Sequence, residues 1–480
     1  MSDPMDLPEE LFCLVLSHLL DFYDNEEYRR KGWSVTDTRQ LYNAVLVNKA
    51  WQGRFTPLLY AIFEDVSRPK VWLFLRTIIQ NEDLARLVTD LRILKDPNEQ
   101  LRADTDPCWK RCEQTIVHAG RRIGLPKKEV GLLRYLGRTR PCTKILLAFV
   151  PKLKTLNITL PYGNDFLDFA LKPRANGDGM ENATFQPELK HVSVHCRFDA
   201  WGFDNWILSH RSLTSIFQLP SARKLTLFTG SRIKIDDLIK ADVTCSTKAS
   251  AITDLAVSSS AQSLSMDGLR NLLQIPSNLT SLTLHLGREI WSNAKPDHVT
   301  NYHIWDLLSQ AYPNLRFLDY HTLCMARDDY SMMGSLRGFT NLKCLRMQPQ
   351  ILGWTSRGTN YKPKTAEETL SAGLQSFTLY AHFGSCLLGY SRTLLEEILP
   401  QIRGLIEDRI TFPKFECFIL QHETGGLSFK TVNDTYARIC RDSNVIYYAA
   451  GGDTFARSLN ASEPPIEDVA RSLVPCKDRY

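Results

Sequence analysis

The residues whose types and spacing could carry chemistry are few, and each set fails a geometric requirement. His191 and His195 stand four apart, a spacing that on a helix would offer two imidazoles to one metal ion. The alternation His191-Val-Ser-Val-His195 reads instead as a strand, which sets the two rings about 13 Å apart at ~3.3 Å per residue. Zn–N bonds of ~2 Å cannot reach both without a bend. Cys108 and Cys112 could share one helix face, but no second Cys/His pair at metal spacing lies nearby, so ordinary helix packing is expected. Gly389-Tyr-Ser-Arg-Thr393 approaches a nucleophile elbow and lacks its closing glycine. Neither a phosphate-cradling Walker A loop nor His-Glu-x-x-His occurs. The expectation is therefore a protein that is not an enzyme, with no catalytic residue, no metal and no cofactor.

The elements that position side chains repeat. An apolar triplet spaced as Leu-x-x-Leu-x-Leu recurs nine times after residue 150. Its copies are Leu153/Leu156/Ile158, Leu189/Val192/Val194, Ala222/Leu225/Leu227, Ile252/Leu255/Val257, Leu279/Leu282/Leu284, Leu315/Leu318/Tyr320, Leu342/Leu345/Met347, Leu374/Phe377/Leu379 and Phe415/Phe418/Leu420. First positions are separated by 27 to 41 residues, and Val88/Leu91/Ile93 is a weaker copy upstream. Pro151, Pro187, Pro220, Pro313 and Pro413 each stand two residues before a first position. Proline cannot continue a helix, so it marks a helix-to-strand junction in five copies. One short strand and one helix at this period resembles leucine-rich repeats. The resemblance implies a solenoid in which each unit buries its apolar face on its neighbours. The polar Asn or Cys that the family places after the triplet is missing here, and the spacing is uneven, so the solenoid is expected to be degenerate and irregular.

In such strands side chains alternate between faces, and the residues between and beside the triplet positions are expected on an open concave surface. His191, His195, Lys224, Phe228, His285, Phe317, His321, Arg346 and Tyr380 are the expected target-binding residues. Aromatic and arginine side chains carry most of the energy of protein recognition.

The N-terminal segment differs in kind. Asp6-Leu-Pro-Glu-Glu-Leu11 opens a helix, with Pro8 in its first turn, two carboxylates where the helix dipole favours them, and Leu11, Leu14, Val15 and Leu19 on one face. A polar stretch follows. Then come Leu46-Val47-Asn-Lys-Ala-Trp51 and Pro57-Leu-Leu-Tyr60. These blocks resemble an F-box domain of the divergent type common in fungal proteins, with a longer stretch (residues 21–40) between the first and second helices than the family has. The resemblance implies docking of a Skp-type adaptor within a cullin–RING (SCF) ubiquitin ligase. The matching positions are Leu7, Pro8, Leu11, Leu14, Leu19, Val47 and Trp51.

Charge separates the same segments. The 480 residues are 43% apolar and 23% charged, with net charge +5, which excludes wholesale disorder. Residues 1–66 carry 6 basic and 11 acidic residues, residues 110–154 carry 12 and 2, and residues 155–480 carry 33 and 33. Arg121, Arg122, Lys127 and Lys128 lead the basic block. They suit a solvated helix face or an acidic or phosphorylated segment of the protein target; nucleic acid is the weaker expectation. No apolar run reaches the ~20 residues that span a bilayer, the first residues do not read as a secretory signal, and the twelve cysteines are scattered. A cytoplasmic or nuclear setting away from membranes is expected, with reduced, buried cysteines.

The expected architecture is α/β: an all-α F-box-like domain (1–66), a basic, mostly helical connecting segment (67–150), a degenerate leucine-rich solenoid (151–440), and a cap and tail (441–480). The expected role is that of a substrate receptor whose catalysis is supplied by partner subunits. The alternative is a leucine-rich interaction scaffold without ligase association.

Overall fold

The structure, a computed structural model, describes residues 42–43, 45–47, 49–64, 68–93, 107–136, 139–159, 188–196, 210–229, 250–260, 266–287, 301–322, 334–354, 363–381, 394–422 and 428–450. The chain divides into two compact units: Met1–Pro161 with Lys172–Leu189, and Tyr162–Leu171 with Lys190–Tyr480.

The described part of the first unit holds α1 (Lys49–Ala61), β1 (Ile62–Glu64), α2 (Arg68–Gln80), α3 (Glu82–Leu87), β2 (Asp90–Ile93), α4 (Pro107–Arg122), α5 (Lys127–Leu136), α6 (Thr139–Phe149) and β3 (Thr155–Thr159). Strands β1, β2 and β3 pair in parallel. Trp72 of α2 and Trp109 of α4 meet edge-on at 5.2 Å and are fully buried. The α3 helix starts where the Asn81 side chain accepts from the Leu84 amide, a cap that satisfies an otherwise orphaned donor.

The described part of the second unit holds β4 (His191–Cys196), α7 (His210–Phe217), β5 (Lys224–Thr229), β6 (Asp254–Ser260), α8 (Met266–Gln274), β7 (Ser281–Gly287), α9 (Asn301–Ala311), β8 (Phe317–Thr322), β9 (Cys344–Met347), α10 (Ala366–Thr369), β10 (Ser376–Ala381), α11 (Leu399–Glu407), β11 (Cys417–His422), α12 (Ser428–Asp442) and β12 (Ile446–Ala450). Strands β4 to β12 pair in parallel, each with the next in chain order. Parallel neighbours require a crossover between strands, and α8, α9 and α11 supply it. Each buries an i, i+3, i+4 set: Leu269/Leu272/Leu273, Ile304/Leu307/Leu308 and Ile402/Leu405/Ile406.

The apolar triplets form the core. All nine copies after residue 150 are buried at all three positions, and so are Val88, Leu91 and Ile93. One backbone contact repeats with them. The carbonyl after the first position accepts two amides from the following repeat in successive copies: Lys190 from Arg223 and Lys224, Arg223 from Thr253 and Asp254, Thr280 from Arg316 and Phe317, Gln375 from Glu416 and Cys417, whereas Glu416 accepts Ile446 alone. In the first unit Thr89 accepts Lys154 and Thr155 in the same way. Within each unit the strands keep one register on their predecessors. The prolines have a narrower role than a plain helix stop. Ala222, Leu315 and Phe415 donate their amides to Leu219, Tyr312 and Phe412, which places Pro220, Pro313 and Pro413 second in a four-residue turn, where a fixed φ near −65° fits. Leu342 and Leu374 make the same turn onto Phe339 and Ser371 without proline.

Two strands were not anticipated. At β1, Phe63 is in register with Leu91, which makes its triplet Tyr60/Phe63/Asp65, and the closing aspartate breaks the apolar pattern. At β12, Tyr447 is in register with Phe418, so its first position is Asn444, a polar residue with φ of 54°. The segment expected to begin a cap thus contributes a further strand.

Gly334 packs on Trp305. A Cβ at Gly334 would lie 2.3 Å from the indole ring, and that ring is held by its Nε1 donating to the Ser335 carbonyl at 2.9 Å. Gly334→Ala is therefore expected to destabilise the protein by about 1–3 kcal/mol, measured as a lower midpoint in urea unfolding, while Gly338→Ala, which meets nothing within 4 Å, leaves that midpoint nearly unchanged.

Candidate binding face on the parallel strands

Strand register sorts the alternating side chains into rows. One row runs His195, Phe228, Ser258, His285, His321, then past Gln348 to Tyr380 and Gln421. The row beside it runs Ser193, Thr226, Ala256, Thr283, Asp319, Arg346, Thr378, Ile419, Tyr448. A third runs His191, Lys224, Asp254, Ser281, Phe317, Cys344, Ser376, Cys417, Ile446. All nine expected target-binding residues lie in these rows.

Their exposure is not uniform. At the β4–β5 end His191 is exposed, and His195, Lys224 and Phe228 are half-buried. The His195 and Phe228 rings stack at 4.2 Å with 16° between planes. Burial pulls the Lys224 ammonium pKa down, and the neighbouring Asp254 carboxylate opposes that shift. From β7 to β11 the expectation of an open surface fails: His285, Phe317, His321 and Tyr380 are buried, with Arg346 half-buried. The cause is mutual packing. Strands ~4.8 Å apart bring bulky side chains of adjacent rows together, and here they close on one charged hub.

The hub is Asp319, which is fully buried. Its Oδ1 lies 3.0 Å from His285 Nε2 and accepts the Tyr380 hydroxyl at 2.8 Å. Its Oδ2 faces Arg346 Nη1 at 3.8 Å. Burial pushes the Asp319 carboxyl up, but the His285 ring, the Arg346 guanidinium and the Tyr380 hydroxyl outweigh it and hold the carboxyl below its ordinary value. An ionised carboxylate only accepts, so His285 Nε2 carries the proton of that bond. The His321 ring sits 5.7 Å from His285 and 5.3 Å from Tyr380, and the Arg346 guanidinium lies 5.4 Å over the Phe317 ring, a cation–π contact. The cluster ties β7, β8, β9 and β10 together. Its His–Asp pair has side-chain exposures of 6% and 1%, which suits holding strands in place more than meeting a substrate. Gln350 Oε1 and Gln421 Nε2 are also buried, with no hydrogen-bond partner among the described residues.

The other expected residues are dispersed. Leu7, Pro8, Leu11, Leu14 and Leu19 lie outside the described residues. Val47 is half exposed, and Trp51 is half-buried on α1 with its ring 5.3 Å from that of Phe55. Arg121 and Arg122 end α4, Lys127 and Lys128 begin α5, and all four are exposed. His191 and His195 lie on one strand; Cys112 is buried in α4; 389–393 lies outside the described residues. Among the described residues no group of three or more His, Cys, Asp or Glu is arranged to hold a metal ion, and no helix is long and apolar enough to cross a membrane. Burial pushes the thiols of Cys142, Cys417 and Cys440 up to about 12.

Sequence reasoning placed Asp319 on this face and missed its role. The available signal was a lone carboxylate between Leu318 and Tyr320, in a row whose next member is Arg346. No protein-family model and no curated protein matches the chain.

Proposed function

We propose that this chain is the target-recognition subunit of an SCF-type ubiquitin ligase: an F-box-like N-terminal segment docks a Skp-type adaptor, and a degenerate leucine-rich solenoid holds a protein target. The observation that carries the adaptor half is a patch just before α1. Tyr42, Leu46 and Val47 are 53%, 64% and 50% exposed, three large apolar side chains within six residues, beside the block whose Val47 and Trp51 match the F-box pattern. Clustered exposed apolar residues mark protein contacts more than scattered ones do. The target half is supported by strands stacked in chain order with one register and by the half-exposed His195–Phe228 stack at the β4–β5 end. Target contact is accordingly assigned to His191, His195, Lys224 and Phe228, with the Asp319 cluster stiffening the strands beyond.

The mechanism is proximity. Holding a target lysine near a ubiquitin-charged enzyme turns a bimolecular encounter into an effectively intramolecular one, and no side chain of this chain needs to react. Capture of a purified Skp-type adaptor by the immobilised full chain tests the reading. Wild type is expected to retain the adaptor. Leu46→Asp/Val47→Asp and Leu7→Ala/Pro8→Ala are each expected to release it. The Asp pair should do so without lowering the thermal midpoint, because both side chains are already in solvent. Retention by both double variants equal to wild type overturns the adaptor assignment.

A further inference from the structure

We propose that the turn joining α4 to α5 is a docking surface for a carboxylate-rich segment of a partner protein. This does not rest on the adaptor reading, since it concerns other residues and another contact.

The turn is firmly built. The Gly124 amide donates to the Arg121 carbonyl and the Leu125 amide to the Gly120 carbonyl, each at 2.9 Å. Gly124 takes φ of 71°, which glycine adopts without a Cβ penalty, and Ile123 and Leu125 are buried beneath it. On this base stand Arg121, Arg122, Lys127 and Lys128, all exposed. The two arginines close α4, where the dipole favours cations. The two lysines open α5, where it disfavours them unless an anion is present. Pro126 accepts the first bond of α5, from Val130, and has no side-chain oxygen to cap the first amides.

The nearest acid does not neutralise the group. Glu129, the sole acid of α5, points both oxygens at Lys144, whose Nζ lies 2.8 and 3.0 Å away and whose side chain is 3% exposed. Removing that pair from solvent leaves the four cations without a carboxylate partner among the described residues. Arg122 is steadied by the Phe149 ring 4.8 Å beneath its guanidinium. The group is confined to one turn, and among the described side chains of α4 to α6 no aromatic is exposed for a base to stack on. It therefore fits a short run of Asp or Glu better than the extended phosphate track of a nucleic acid.

Fluorescence anisotropy of a labelled oligoglutamate peptide titrated with the full chain tests this. Wild type is expected to bind, with affinity falling as salt is raised. Arg121→Glu/Arg122→Glu/Lys127→Glu/Lys128→Glu is expected to weaken binding by about tenfold or more, and Arg121→Lys/Arg122→Lys to retain most of it. Lys127→Gln/Lys128→Gln, which adds no like-charge repulsion with acids, is expected to weaken binding several-fold and keeps the test sound should the reversal disturb folding. Equal affinity of wild type and the glutamine pair overturns the proposal. So does tighter binding of a single-stranded oligonucleotide of matched charge than of oligoglutamate.

Discussion

Asp319→Ala is expected to lower the unfolding free energy by about 3–5 kcal/mol, because it leaves the half-buried Arg346 guanidinium facing no counter-charge and removes the acceptor beside the buried His285 Nε2. Tyr380→Phe, which removes one hydrogen bond to the same oxygen, should cost only about 1 kcal/mol. The contrast separates a charge hub from general packing, since the two substitutions delete similarly buried groups. Acid should reproduce the loss. The Asp319 carboxyl is held below its ordinary value of 3.8, so the native state binds its proton less readily than the unfolded chain does. The resulting stability is present above that value and disappears as the pH falls through the lowered native value. Urea unfolding of wild type and Asp319→Asn at a series of pH values checks this: the gap between them should be full near neutrality and shrink in acid below about 4. A gap that is constant with pH would mean that Asp319 stabilises the fold by shape alone.

Phe418→Ala is the second large effect. Phe418 is fully buried at the middle triplet position of β11, with its ring 6.2 Å from Phe377, 5.9 Å from Tyr447 and 5.4 Å from Tyr436. Phe377 in turn meets the buried Trp354 edge-on at 5.5 Å. The substitution removes the central ring of a stack that runs from the segment after β9 to β12. A loss of about 3–5 kcal/mol is expected, and Phe418→Leu should recover more than half of it. Stacked repeats contact chiefly their neighbours, so the damage should begin near β11. Hydrogen exchange is expected to show faster opening of β10 to β12 than of β4 to β6.

The repeating core was legible because its determinants are local. A triplet such as Leu315/Leu318/Tyr320 declares a buried strand face from spacing alone, and Pro313 marks the turn before it. Where one polar residue replaces a triplet member, as Asp65 does after β1 or Asn444 does before β12, the spacing signal vanishes although the backbone bonds persist. The binding face was legible residue by residue, and its exposure was not. His285, Asp319 and Tyr380 are 34 and 61 residues apart along the chain, and only strand register brings them into contact. Whether a histidine on such a face meets solvent depends on the bulk of its neighbours across the sheet. At the β4–β5 end they leave His195 half-open; around Asp319, Arg346 and Tyr380 close it. The pairing of Lys144 with Glu129, which isolates the basic turn, likewise depends on how α5 packs against α6.

The assignment to an SCF-type ligase turns on one contact, and sedimentation of a mixture of the full chain with a purified Skp-type adaptor measures it most directly. The expected result is one faster species containing both proteins in equal amounts, which separates into its components when Leu46→Asp/Val47→Asp replaces wild type. Two species that sediment independently with the wild-type chain would contradict the assignment and leave the protein as an interaction scaffold built on its parallel strands.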